Sequence, residues 1–283
     1  MSLMATSALR HLVVLGCGLA LAGCVSTGNR SIDPSVAAAS KVNLASLSDV
    51  VQRNPRDPEA YNTRGSAYAR VGNYSDAIKD FTSAVQIDPN FAKGYANRAL
   101  AQHELGNDSA ALADYNAAIQ ANPNYSSAYV GRGNIYRQAG KAQLALGDYQ
   151  RAIEIDRQNA QAYHNRGLIY QAQGQHLFAI EDFNRAIAAD VTAVPPYIAR
   201  GISRLATNDP KAALDDFDTA LANQPRNAEA WYGRGQAYER MGDQAKARAS
   251  YARAVQIDPK NQAMRDAFAR AGGRPGVNYS LAD

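Results

Sequence analysis

The chain has 283 residues, 46% hydrophobic and 20% charged, with a formal net charge of +4. That balance suits a globular protein, and its cations are scattered rather than gathered in runs, so there is no footprint for nucleic acid. The only cysteines, Cys17 and Cys24, lie near the N-terminus, which excludes a disulfide framework or a zinc cage from everything that follows.

Residues 1–23 have the layout of an export signal. Arg10 and His11 make a modest basic start, Leu12 to Ala22 an apolar run, and small residues follow. The run is shorter than the roughly 18 apolar residues of a membrane span. It ends in Leu21-Ala22-Gly23-Cys24, which resembles a bacterial lipobox. The resemblance implies cleavage before Cys24, a diacylglycerol on its thiol and an acyl group on its amine. Val14 to Cys17 is a poorer copy. Cleavage after Ala20-Leu21-Ala22 would instead give a soluble product. With lipidation, Cys17 leaves with the signal and no free thiol remains. Val25, rather than an inner-membrane-retaining Asp, points to the outer membrane, facing the periplasm.

Residues 24–41 read as lipid anchor and flexible tether, rich in Ser, Ala and Gly. Residues 42–57 read as a half-repeat cap. Leu47, Val50 and Pro55 stand 34 places before Phe81, Ala84 and Pro89. From residue 58 to 261 the chain repeats with that period. Tyr61, Tyr95, Tyr129, Tyr163, Tyr197 and Trp231 recur in register, as do Ala84, Ala118, Ala152, Ala186, Ala220 and Ala254. This pattern resembles the tetratricopeptide repeat, a helix–turn–helix unit of that length. The resemblance implies an all-α, right-handed superhelical solenoid of six repeats with N- and C-terminal capping helices. Gly72, Gly106, Gly140, Gly174, Asn208 and Gly242 fall where the first helix of each unit must end in a left-handed residue. Pro89, Pro123, Pro225 and Pro259 stop the second helices, but Arg157 and Val191 break that rule. A less regular junction is therefore expected between the fourth and fifth repeats. Residues 262–273 read as the closing helix and 274–283 as a loose tail.

Candidate chemistry is sparse. Gly131-Arg-Gly133 and Gly233-Arg-Gly235 do not complete a phosphate-binding glycine motif and sit inside helical patterns. His103, His164 and His176 lack metal-ligand spacing, so no metal or cofactor is expected. Twelve of the sixteen tyrosines occupy repeating core positions, leaving Tyr74, Tyr125, Tyr232 and Tyr279. Arg64, Arg98, Arg132, Arg166, Arg200 and Arg234 form a ladder that could grip anions. Asp80, Asp114, Asp148, Asp182 and Asp216 recur beside it, so structural ion pairs account for it better. Pairing within repeats would strand Arg234, and pairing back to the previous repeat would strand Arg64.

The resemblance also implies a concave groove lined by the first helices. On the face assigned to it lie mostly polar Glu59, Asn62, Ser66, Lys93, Asn134 and Arg137, with Leu100 and Val130, then a greasier stretch of Leu168, Ile198, Ile202, Leu205 and Tyr232, beside His164 and Gln171. Ile198, Ile202 and Leu205 share one stripe, which reads as a protein-binding surface, or one covered by the cap or a second copy in a homodimer. Asn97 and Asn165 match only the amide part of a chaperone-tail carboxylate clamp. A lipobox followed by such repeats resembles NlpI-type lipoproteins, outer-membrane scaffolds that dock peptidoglycan hydrolases and proteases. Pilotin-like or pilus-assembly lipoproteins combine the same parts. The alternative from another class is an enzyme with an unrecognised site, but no segment is left over for a catalytic domain, so the expectation is a non-enzyme.

One acyl chain binds membranes only marginally, with a constant of about 10⁴ M⁻¹, whereas two or more anchor stably. Cys24→Ala should therefore move the protein from the outer-membrane fraction to the soluble periplasm on fractionation. A wild-type protein already soluble, or a mature N-terminus at Gly23, would contradict the lipobox reading.

Overall fold

The computed structural model describes residues 34–274, 276, 277 and 279, so the export signal and Cys24 lie outside the described residues. Fourteen helices are described. A leading helix, α1 (Pro34–Arg53), is followed by six pairs. These are α2 (Pro58–Arg70) with α3 (Tyr74–Ile87), α4 (Ala92–Glu104) with α5 (Asp108–Ala121), and α6 (Ser126–Gln138) with α7 (Ala142–Ile155). Then come α8 (Ala160–Ala172) with α9 (His176–Ala189), α10 (Val194–Ala206) with α11 (Pro210–Asn223), and α12 (Ala228–Arg240) with α13 (Gln244–Ile257). The closing helix is α14 (Gln262–Arg270).

The turn inside each pair follows from backbone sterics. Gly72 N–H donates to the Ala69 carbonyl and Asn73 N–H to the Tyr68 carbonyl, both at 2.9 Å. That double closure needs a left-handed residue between them, and Gly72 has φ +78°. Asn208 takes the same place in the fifth pair with φ 62°, the only non-glycine with positive φ among the described residues. Side chains then start several second helices. Asn73 accepts from the Asp76 N–H, and Asp209 and Asp243 cap α11 and α13 in the same way.

Packing within and between pairs is set by size. Ala77, Ala84 and their equivalents are fully buried, and Phe81, Tyr115, Tyr149, Phe183, Phe217 and Tyr251 are the large buried side chains of the second helices. Each ring lies against a first helix where glycine leaves room. A Cβ on Gly133 would stand 2.7 Å from Tyr149 Cε1, and one on Gly131 2.3 Å from Tyr115 Cζ. The glycine pair thus lets α6 fit between the rings of α5 and α7. Gly233 and Gly235 do the same for α12, between Phe217 and Tyr251. This packing is the physical content of the two Gly-Arg-Gly stretches.

Four expectations are corrected. Helix α1 begins at Pro34, eight residues inside the stretch read as tether. Val50 is 42% exposed although its equivalents are buried, and among the described residues no first helix precedes α1 to cover it. Val51 is buried instead. The junction between α9 and α10 is as regular as its neighbours, since Asp190 accepts from the Thr192 N–H and forms the turn without a proline. Tyr279 of the tail packs edge-on against Phe268, 5.6 Å between centroids, and its hydroxyl accepts from the Arg274 N–H.

Ala84→Leu should lower stability by roughly 1–3 kcal/mol in denaturant titration, because the added atoms enter a filled core. Ala113→Leu, on an exposed face of α5, should change it by less than about 0.5 kcal/mol.

Candidate functional site: the concave face

Successive first helices touch one another along the stack, from α2–α4 to α10–α12, with no comparable contacts between successive second helices. The first helices therefore line the inner side of the curve.

The arginine ladder runs along these helices and is committed to the fold. Arg64 Nε and Nη2 donate to both oxygens of Asp80, sixteen residues on, at 2.8 and 2.7 Å. Arg98–Asp114, Arg132–Asp148, Arg166–Asp182 and Arg200–Asp216 repeat this fork. The third corner of each guanidinium reaches back sixteen residues, to Ser48, Thr82, Asn116, Gln150 and Asn184 in turn. Pairing is thus within repeats. Arg234 nonetheless escapes stranding. Ser250 stands at its forward position, but Asp218 stands at the backward one and accepts from Arg234 Nε at 2.7 Å. Each guanidinium also lies over the aromatic ring three residues earlier, 5.2–5.8 Å from its centroid. Burial pulls Asp182 and Asp216 towards the neutral acid, whereas the bond to Asp182 holds Arg166 charged. The fork favours the charged pair, because both carboxylate oxygens accept from the guanidinium.

The apolar stripe read from the sequence is not a surface. Ile198 and Leu205 are about 5% exposed and belong to the core around Phe217, with Ile202 packed against it. The reason is curvature. The fifth and twelfth places of each first helix face the neighbouring first helices rather than the groove. Leu168 packs half-buried against the Phe183 core, and Tyr232 lies 5.7 Å from the Tyr251 ring. An Asp at Ile198 would therefore disrupt the fold.

What the groove offers lies nearer its N-terminal end. Lys93 on α4 pairs with Glu59 on α2 at 2.6 Å, and Asn97 donates to the carboxamide oxygen of the fully buried Asn62 at 2.7 Å. Two hollows open beside this network. One, of about 280 Å³, is lined by Glu59, Asn62, Thr63, Ser66, Arg70 and Lys93 among others. The second, of about 330 Å³, adds Tyr74, Phe81, Asn97, Leu100 and Glu104. They share Ser66 and Arg70, so they form one trough. The half-exposed Leu100 lies where the sequence assigned it, whereas Arg70 was legible as a groove residue only once the helix rotation was known.

Further along, burial together with the nearby charge of Arg137 lowers the His164 pKa to about 4. Burial pushes the Tyr149 hydroxyl up to about 12, with Arg137 pulling the other way. Among the described residues no cluster of three His, Cys, Asp or Glu is placed to hold a metal ion.

Tetratricopeptide-repeat models match residues 58–91, 92–125, 133–174, 160–190 and 198–262. The chain belongs to the tetratricopeptide-repeat family. No curated protein sequence matches it. Among solved structures it is similar to the Cut9–Hcn1 assembly of the APC/C (TM-score 0.70, 19% identity), over 81% of this chain but only 45% of that one. It is also similar to PilF of Pseudomonas aeruginosa (TM-score 0.70, 16% identity, 77% of this chain and 99% of that one). A third is YrrB, described as a repeat protein with an unusual peptide-binding site (TM-score 0.57, 22% identity, 67% and 97%). The fold is thus of a class suited to protein–protein interaction.

Asp216→Ala should cost roughly 3–5 kcal/mol, because it leaves Arg200 and Arg204 facing a buried gap. Asp218→Ala removes a half-exposed partner and should cost under about 1 kcal/mol. Equal losses in thermal or denaturant unfolding would show that the ladder does not act through buried pairing.

Proposed function

We propose that this protein is a non-enzymatic lipoprotein anchored to the outer membrane through Cys24, which holds an extended segment of an envelope protein in the trough of its first two repeats. Peptidoglycan hydrolases and proteases are the partner class that the sequence resemblance implies. The observation that carries the reading is the trough itself. Thr63, Ser66, Arg70, Lys93, Leu100 and Glu104 line it, and none of them belongs to the arginine ladder or the buried core. The mix of charges, carboxamides and one apolar wall suits a peptide, whose backbone needs hydrogen bonds and whose side chains need at least one apolar seat. A short tether from the lipid anchor would hold the repeats at the membrane at effective concentrations of about a millimolar, so a modest intrinsic affinity is enough. A pilus-assembly role has one support, the match to nearly the full length of PilF, and that likeness is one of fold.

A photo-crosslinking residue at Ser66 should capture a discrete envelope partner in native membranes, while one at the exposed Lys79 of α3 should not. Arg70→Glu combined with Leu100→Asp should cut that capture by about tenfold or more with the helical spectrum unchanged, since truncating anchor contacts costs 1–2 kcal/mol or more. Capture that survives the double substitution would place the binding surface elsewhere. A secretin subunit as the captured protein would favour the pilus-assembly role.

A further inference from the structure

The outer face of the third and fourth repeats carries side chains that the solenoid does not use. Leu177 and Phe178, in the first turn of α9, are 75% and 61% exposed, and Leu144, at Phe178's place on α7, is 53% exposed. On α3, α5, α11 and α13 the same two places hold only Ser, Asp, Ala or Lys. Phe178 leans on the Tyr170 ring, 5.8 Å between centroids, so one side of it is seated and the other is open.

A glycine on α7 marks the same face. Every other glycine inside a helix, among the described residues, lies against an aromatic ring, whereas a Cβ on Gly147 would meet nothing within 4 Å. Glycine weakens a helix interior, and packing within this chain supplies no reason for it here. Gly147 stands 34 residues before Glu181 and leaves a hollow beside α9. Glycine on an outer face suits the close approach of another chain.

The exposed stripe of α9 is complementary to itself. Leu177, Phe178, Glu181, Arg185 and Ala188 are all exposed at helical spacing. Turned end for end about the level of Phe183, the stripe sets Phe178 against Ala188 and Glu181 against Arg185. Large thus meets small, and acid meets base. A two-fold interface requires this, because one patch must fit a copy of itself. A lipid surface fits less well. Apolar side chains that enter a bilayer are flanked by cations, and here the carboxylate of Glu181 stands one turn from Leu177.

We propose that the outer face of α7 and α9 is a two-fold interface through which two copies of this chain pair, with α9 antiparallel to its counterpart. The buried stripe of Ile198 takes no part. The interface lies on the second helices of the third and fourth repeats, so it leaves the trough of the first two repeats open. It stands without the peptide-binding reading. If that reading also holds, each dimer presents two troughs and gains by avidity.

The test is sedimentation equilibrium of the soluble Cys24→Ala protein, from about a micromolar to a few hundred micromolar. A reversible monomer–dimer equilibrium is expected. Leu177→Asp with Phe178→Asp should weaken it by about tenfold or more, with helicity and melting temperature kept because both side chains are exposed. Glu181→Arg and Arg185→Glu should each weaken it several-fold, since each sets like charges opposite one another twice per dimer. Mixed in equal amounts, these two variants should pair with each other about as tightly as the wild type does, which a merely sticky surface would not reproduce. Gly147→Gln should weaken pairing without loss of helicity. A wild type that stays monomeric overturns the interface. So does pairing that survives Leu177→Asp with Phe178→Asp or is unchanged in Gly147→Gln, and so does a mixture of the two charge variants that pairs no better than either alone. A monomer that binds phosphatidylglycerol vesicles, and loses that binding in Phe178→Asp, would assign the face to lipid instead.

Discussion

The structure depends on one side chain used six times. The arginine at the seventh place of each repeat ties three helices together. Its fork holds the Asp of its own second helix, and its remaining amine holds a polar group on the preceding second helix. Hydrophobic contact is non-directional and would allow neighbouring units to slide. A two-point hydrogen-bonded ion pair with a third corner fixed behind it does not. The last repeat shows the constraint by changing it. Where the forward acid is replaced by Ser250, the backward polar residue has become Asp218, so the guanidinium still meets a carboxylate.

Size complementarity does the rest. Glycines in the first helices accept the aromatic rings of the second helices on either side, and alanines keep the helix pairs close. Because each unit is buried by its neighbours, loss of one contact is felt by the stack and not by the unit alone. The leading helix illustrates the reverse case, since among the described residues no first helix precedes it and Val50 lies open.

These commitments decide where binding is physically available. The ladder and the core occupy most polar and apolar groups of the later repeats, and Ile198 and Leu205 disappear into the stack. The first two repeats keep a trough whose lining is largely free. Function in such a chain lies in what the repeat does not use.

The sequence by itself determined the period, the six helix pairs, the left-handed closure at Asn208 and the Arg–Asp correspondence, because each is a local or strictly repeating requirement. Ser250 was legible as the missing acid, but Asp218 was passed over because it falls outside the forward register. The rotation of the first helices could not be read from spacing. A 3.6-residue period says which side chains share a face, and only the angle between neighbouring units says whether that face meets solvent or another helix. That angle buried the stripe of Ile198 and Leu205 and opened the trough around Ser66 and Arg70.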